Sequence, residues 1–187
     1  MFGLDTPHDW LANLEAEFAD YAKEPGSMRL ALNCALAAYH LHEKVWSEWL
    51  KNDAATRRAL GIGKDRKEFL AWIGRHCVWF FWIRELATAA KHGRETSFEA
   101  RLVSLLPEAR NLPNAGAEES HWNGPMPYLT AGQDVLLIDN GPEAGEVHNR
   151  YMPVSYLLNA VLCFWRQFFE RYGPTPSKFS TSAEAVP

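Results

Sequence analysis

A mainly α-helical bundle of about five helices, with a small β-hairpin inserted before the last one, is the fold class that three observations predict. Apolar residues recur at spacings of three and four through the first ninety or so positions and again from Pro153 to Tyr172. Capping residues stand in front of these periodic runs, and Gly or Pro stands behind them. Between the two helical regions the period disappears, and a short apolar run bounded by Asn-Gly-Pro follows.

The first helix begins at Thr6-Pro7-His8-Asp9. Thr6 caps, Pro7 suits the first turn, and Asp9 meets the positive helix end. Leu11, Leu14, Phe18 and Tyr21 form its buried stripe, and Pro25-Gly26 ends it. Ser27 caps a second helix of more than five turns reaching Leu50, with Leu30, Cys34, Ala37, Leu41 and Val45 on one stripe. Its small residues Ala31, Ala35, Ala37 and Ala38 permit close approach of another helix. Asn33, the one polar residue near that stripe, is expected as a core amide bonded to a neighbour.

Ala54 to Leu60 reads as a short helix ended by Gly61 and Gly63. Asp65 caps the next, with Glu68 as the second half of a capping box. From Asp65 to His92 only Gly74 interrupts, so a bend near Arg75 to Val78 is expected in place of one straight helix. Ser97 to Leu106 fits a strand or a short helix equally. Pro107 to Gln133, rich in Gly, Pro, Asn and Ser, is expected to be a mobile loop. Val135 to Asp139 and Glu146 to Tyr151 then pair as a hairpin over about 135–151. Pro153 to Tyr172 is the closing helix, stopped by Gly173-Pro174. One helical domain thus spans 1–175, and 176–187 form a flexible polar tail.

The 187-residue length suits one domain with a core large enough to need no metal or disulfide. Aromatic residues make up 13% and include eight Trp, more readily a large aromatic core than a partner surface. A formal net charge of −4 gives no footprint for duplex DNA and no polybasic membrane anchor. Cys34, Cys77 and Cys163 are far apart in apolar helical stretches, as buried free thiols of a reducing cytosol would be. The start lacks the pattern of a signal peptide, and the apolar run Cys77 to Ile83 is too short to span a bilayer, so a cytoplasmic chain is expected.

Chemistry concentrates in WIRELATAAKHG, Trp82 to Gly93. Trp79, Ile83, Leu86 and Ala90 form the apolar stripe. Arg84, Thr88 and Lys91 lie about 100° round from it, and Glu85, Ala89 and His92 on the next line. Lys91 and His92 also suit the negative end of a helix closed by Gly93, so the flank reads equally as a solvated face.

Among other candidates, His40 and His42 diverge on their helix and do not chelate as a pair. His8, His40 and His76 form a conceivable three-helix metal set. Glu118-x-x-His121 has metal spacing but falls in the expected loop. HExxH, CxxC, P-loop, GxGxxG and GxSxG patterns are absent, and no metal or other cofactor is expected.

An Arg followed by a polar residue and then a His on one helix of an all-α chain resembles the HEPN superfamily. The helices around ALNCALAAYHLHEKVW, IRELATAAKHG and VLCFWRQFFERYG extend that resemblance over Ser27 to Gly173. It implies a helical core, often dimeric, and a role as a non-catalytic binding or accessory module of a bacterial defence or toxin–antitoxin system. The alternative it implies is a metal-independent ribonuclease with Arg84, Glu85 and His92 as catalytic residues. His92 would then move protons and Arg84 hold the phosphate, with Lys91 and Trp122 as binding residues. RNA or a partner protein is the expected partner, and a homodimer the expected assembly.

The spacing departs from the family pattern. Seven residues separate Arg84 from His92, one more than the motif allows, and Glu85 stands where Asn is frequent.

Overall fold

The computed structural model describes residues 5–92, 99–104, 134–139 and 151–174, and of residues 89–92, 99–104, 134–137, 139 and 151 the backbone path only. Six α-helices are described. They are α1 (Pro7–Lys23), α2 (Met28–Lys44), α3 (Ala54–Leu60), α4 (Arg66–His76), α5 (Phe80–His92) and α6 (Val154–Tyr172). The fold class is mainly α, as the periodicity requires, with the strands placed before the last helix. The expected loop over 107–133, including Trp122, and the tail 176–187 lie outside the described residues.

Local chemistry sets most of the boundaries. Thr6 and Asp9 form a reciprocal capping box at the start of α1. Gly61 ends α3 in the left-handed region at φ 68°, a conformation that costs a side-chain-bearing residue energy. At α4 the expected box is only half made. Asp65 accepts from Lys67 N at 2.9 Å, but the Glu68 carboxylate reaches past Asp65 to the Gly63 N–H at 2.7 Å. The expected bend near Arg75 to Val78 is a full break: α4 stops at His76 and α5 starts at Phe80.

The second helix does continue to Leu50, but its end changes type. Val45–Leu50 is a π-helical segment, marked by the bond from Lys51 N to Trp46 O. Arg57 reaches back to the carbonyls at the end of this wider turn. Its buried guanidinium donates to Leu50 O at 2.5 Å and to Lys51 O at 2.7 Å.

One core joins the helices. Leu14 and Tyr21 of α1, Cys34, Ala35, Ala38 and Leu41 of α2, Phe69 and Ile73 of α4, Ile83 of α5 and Leu158 and Trp165 of α6 are all essentially inaccessible to solvent. The small face of α2 is buried at Ala31, Ala35 and Ala38, as its composition requires. Across it, the Trp165 indole N–H donates to Ala38 O at 3.2 Å, satisfying the one polar group this large ring carries into the core. Asn33 corrects the sequence reading: it is exposed, because it sits one position before Cys34 and so about 100° off the buried stripe.

The β element is larger than a hairpin. The strands β1 (Glu99–Ser104), β2 (Asp134–Asp139) and β3 (Tyr151–Pro153) form an antiparallel sheet in the order β1-β2-β3. Ser97 to Leu106 therefore contains a strand. Among the described residues Tyr151–Pro153 pairs with β2, with Asp139 opposite Tyr151 and Ile138 opposite Met152, and positions 146–150 of the expected partner lie outside the described residues. Ile138, fully buried, ties the sheet to the helical core.

Candidate functional site

The helix α5 leaves the Cys77–Trp79 turn and buries Phe80, Ile83, Leu86 and Ala87. Phe80 meets Tyr39 of α2 at 5.7 Å and Trp165 of α6 at 6.3 Å between ring centroids. Phe80 thus takes the deep position expected of Trp79, which is half-buried edge-on to Tyr156. The helix turns Arg84 and Glu85 outward.

Arg84 is not an open cation. Its side chain is 42% exposed, its guanidinium lies 3.3 Å from Glu85 Oε1, and its centre sits 4.9 Å over the Phe81 ring. A carboxylate and a π face therefore already occupy the group that would hold a phosphate.

The helix is α-helical without interruption from Phe80 to His92. Eight residues of regular helix put the Cα atoms of residues 84 and 92 about 12 Å apart along the axis and about 80° apart around it. The backbone of α5 therefore keeps positions 84 and 92 on separate turns and on different lines of the helix. The side chains of Lys91 and His92, and the whole of Trp122, lie outside the described residues.

The histidines elsewhere have separate occupations. His8 lies edge-on to Phe169 at 5.0 Å. His76 stacks on Trp72 at 4.0 Å, and its Nδ1–H donates to the Trp72 carbonyl at 2.8 Å. His40 donates from Nδ1 to Glu43 Oε2 at 3.0 Å, while Glu43 Oε1 receives Arg66 at 3.1 Å. The conceivable metal set His8, His40 and His76 is therefore dispersed over three helices and three different partners. Among the described residues no group of three or more His, Cys, Asp or Glu is placed to hold a metal ion.

His42 is the buried member, 2% exposed. It packs between Tyr39 and Phe80, at 4.8 and 5.8 Å, and donates from Nδ1 to the Tyr39 carbonyl. Burial pushes its pKa down, against the pull of that hydrogen bond and of the Glu43 charge. Burial alone raises the Glu43 carboxyl, but the hydrogen bond from His40 and the positive charges of His42, His40 and Arg66 hold it below the usual range. His40 and His42 do point into different surroundings, as their spacing requires.

The three cysteines are free, and burial raises all three thiols, Cys34 and Cys77 to about 12. Thiols of that kind stay protonated and are not nucleophiles.

Two features escaped the sequence reading. The His40–Glu43–Arg66 chain joins α2 to the start of α4 across 23 residues, and no local spacing signals it. A second is the charge imbalance of residues 51–76, seven Lys or Arg against three Asp or Glu, which counting charges by segment would have found. No protein family, no curated protein and no solved structure matches this chain.

Proposed function

We propose that this chain is a HEPN-like helical module that binds and does not cleave, an accessory component of a bacterial defence or toxin–antitoxin system working in the cytoplasm. The observation that carries the non-catalytic reading is the unbroken course of α5. It holds residues 84 and 92 about 12 Å apart while Glu85 and Phe81 occupy Arg84. Three free cysteines suit a reducing compartment. Among the described residues no helix is long and apolar enough to cross a membrane. The resemblance adds RNA or a partner protein as what is bound, and a homodimer as the assembled form.

The decisive experiment incubates wild type, Arg84→Ala and His92→Ala with mixed single-stranded RNA in the presence of chelator. The expected result is no cleavage by any of the three. Cleavage by wild type that both substitutions abolish, with melting temperatures unchanged, overturns the reading in favour of a metal-independent ribonuclease. Cleavage that survives both removes α5 from the mechanism altogether.

A further inference from the structure

One of the described histidines stands apart from the others. His8 lies edge-on to Phe169, His42 is buried, and His76 gives its Nδ1–H to a backbone carbonyl. His40 alone among them meets a carboxylate, with Nδ1 at 3.0 Å from Glu43 Oε2. The Glu43 carboxyl is held below its usual range, so it is ionised and can only accept. Nδ1 therefore carries the proton, and in the neutral ring the lone pair is on Nε2.

That second nitrogen is open. It has no hydrogen-bond partner among the described residues, and it is not sealed from water on a side chain that is 36% exposed. The rest of the ring is fixed. Tyr39 stands edge-on to it at 5.4 Å, and Glu43 is itself held, because Arg66 at the start of α4 donates to its other oxygen at 3.1 Å. An imidazole anchored through Nδ1 by a carboxylate, with Nε2 free, is the arrangement in which such a ring does chemistry at its far nitrogen.

Exposure and charge narrow what that chemistry is. Glu43 and Arg66 are 40% and 53% exposed, so the trio lies on the outer surface where α2 meets α4. Water is not kept from a substrate there, and the site suits accepting a group better than enclosed turnover. A single imidazole without further ligands is not a metal site, and no larger ligand group is present among the described residues. Arg66 decides the class of group. It spends one bond on Glu43 and has no other partner among the described residues, which leaves planar donors on the carboxylate that orients His40. Such a fork matches the oxygens of a phosphoryl group. With His40 neutral, the charges of Glu43 and Arg66 cancel, and an anionic donor is not repelled.

We propose that His40 Nε2 accepts a phosphoryl group from a donor of the phosphoramidate class, with Glu43 and Arg66 as positioning residues. The Nε2 lone pair attacks phosphorus, the P–N bond of the zwitterionic donor breaks, and its nitrogen leaves as neutral amine with the bonding pair. The ring keeps its Nδ1 proton and becomes cationic, and the Glu43 charge stabilises it as it stabilises an imidazolium. Arg66 pairs with the oxygens of the transferred group. The site lies on α2 and α4, and the inference does not rest on the reading of α5.

Incubation of the full chain with potassium phosphoramidate, followed by phosphorus NMR and intact mass, tests it. The expected product is one acid-labile, alkali-stable phosphoryl group on Nε2 of His40. It should form at least about tenfold faster than in the same chain unfolded in urea, where each histidine has only its intrinsic reactivity. His40→Gln should abolish it. Glu43→Gln should slow it about tenfold and admit the Nδ1 isomer, because an amide bonds either tautomer. Arg66→Ala should slow it about fivefold, and Arg66→Lys should restore part of the rate.

No phosphorylation of wild type, a rate no greater than in urea, or a product that survives His40→Gln overturns the proposal. Formation of the Nδ1 isomer in wild type overturns the orienting role of Glu43. A wild-type rate in an Arg66→Ala variant of native melting temperature removes Arg66 from the site. Cleavage of RNA bears on the reading of α5 alone.

Discussion

The helices α4 and α5 are separated by three residues and each carries both acidic and basic side chains, yet they present opposite surfaces. On α5, Glu85 follows Arg84 directly and closes on it, and Phe81 lies one turn back beneath the guanidinium. On α4 the acids stand at the beginning, where the unpaired N–H groups of a helix start compete for them, and they go to the backbone. Lys67 and Arg75 further along have no carboxylate partner among the described residues. The difference teaches that surface charge depends on where a carboxylate sits relative to a helix end as much as on how many there are. A capping carboxylate keeps its charge but loses its freedom to reach a side chain.

The largest expected effects test whether the contrast is confined to the outer faces. Both helices are anchored by buried apolar side chains, so Trp72→Ala on α4 should cost about 3–5 kcal/mol, and Leu41→Ala in the fully buried part of α2 about 2–5 kcal/mol. Chemical denaturation measures both. A cost below about half a kcal/mol for Leu41→Ala would show that α2 is not the centre of the core, and for Trp72→Ala that α4 is only loosely attached.

The junction between α2 and α5 should respond to acid. His42 is buried with its pKa depressed, so the unfolded chain binds its proton more readily than the folded one. Its contribution is complete above the unfolded value of about 6.5 and is lost as pH falls from there toward the folded value, at up to about 1.4 kcal/mol per pH unit. Glu43, Asp9 and Asp53, all with depressed values, act in a lower window, below about pH 4.5. Melting curves between pH 7.5 and 5 should therefore fall for wild type and be flatter for His42→Gln, although that variant starts lower. Parallel profiles would mean that another group governs this range.

Removing a cap sharpens the comparison at smaller scale. Asp65→Ala frees an N–H at the start of α4 and should cost about 1 kcal/mol, within the range of about 0.5–2 seen for such caps. Thermal unfolding reads this directly, and no change would mean that water replaces the carboxylate without loss.

The smallest effects belong to the surface charges. Glu85→Ala removes one half-buried ion pair and Lys67→Ala removes none among the described residues, so the expected costs are at most about 1 and about 0.5 kcal/mol. Glu85→Ala should nonetheless open Arg84 to anions. If it leaves RNA affinity unchanged, the Glu85 pairing is not what occupies that flank.

What could be read from the residues was whatever depends on near neighbours. Thr6 with Asp9, the Asp65 cap and Gly61 act within a few positions of themselves, and α1, α3 and the start of α4 lie where those residues put them. Helical periodicity located Leu14, Cys34, Leu41 and Ile83 in the core. The spacing of Arg84 and His92 was legible too, because a regular helix translates sequence separation into distance without help from other elements. Three decisions came only with tertiary structure. Glu99–Ser104, within the ambiguous stretch, became strand because β2 offered it a partner along all six residues, and a backbone ladder is a long-range property. Glu43 received Arg66 because the start of α4 lies against the end of α2. His42 and His40, two residues apart, became a buried and a half-exposed group because α5 covers only one side of α2 with Phe80. Helix propensity and capping are short-range and are written in contiguous residues. Burial of a polar group, and the partner that satisfies it, depend on which remote segment arrives, and that is decided by packing.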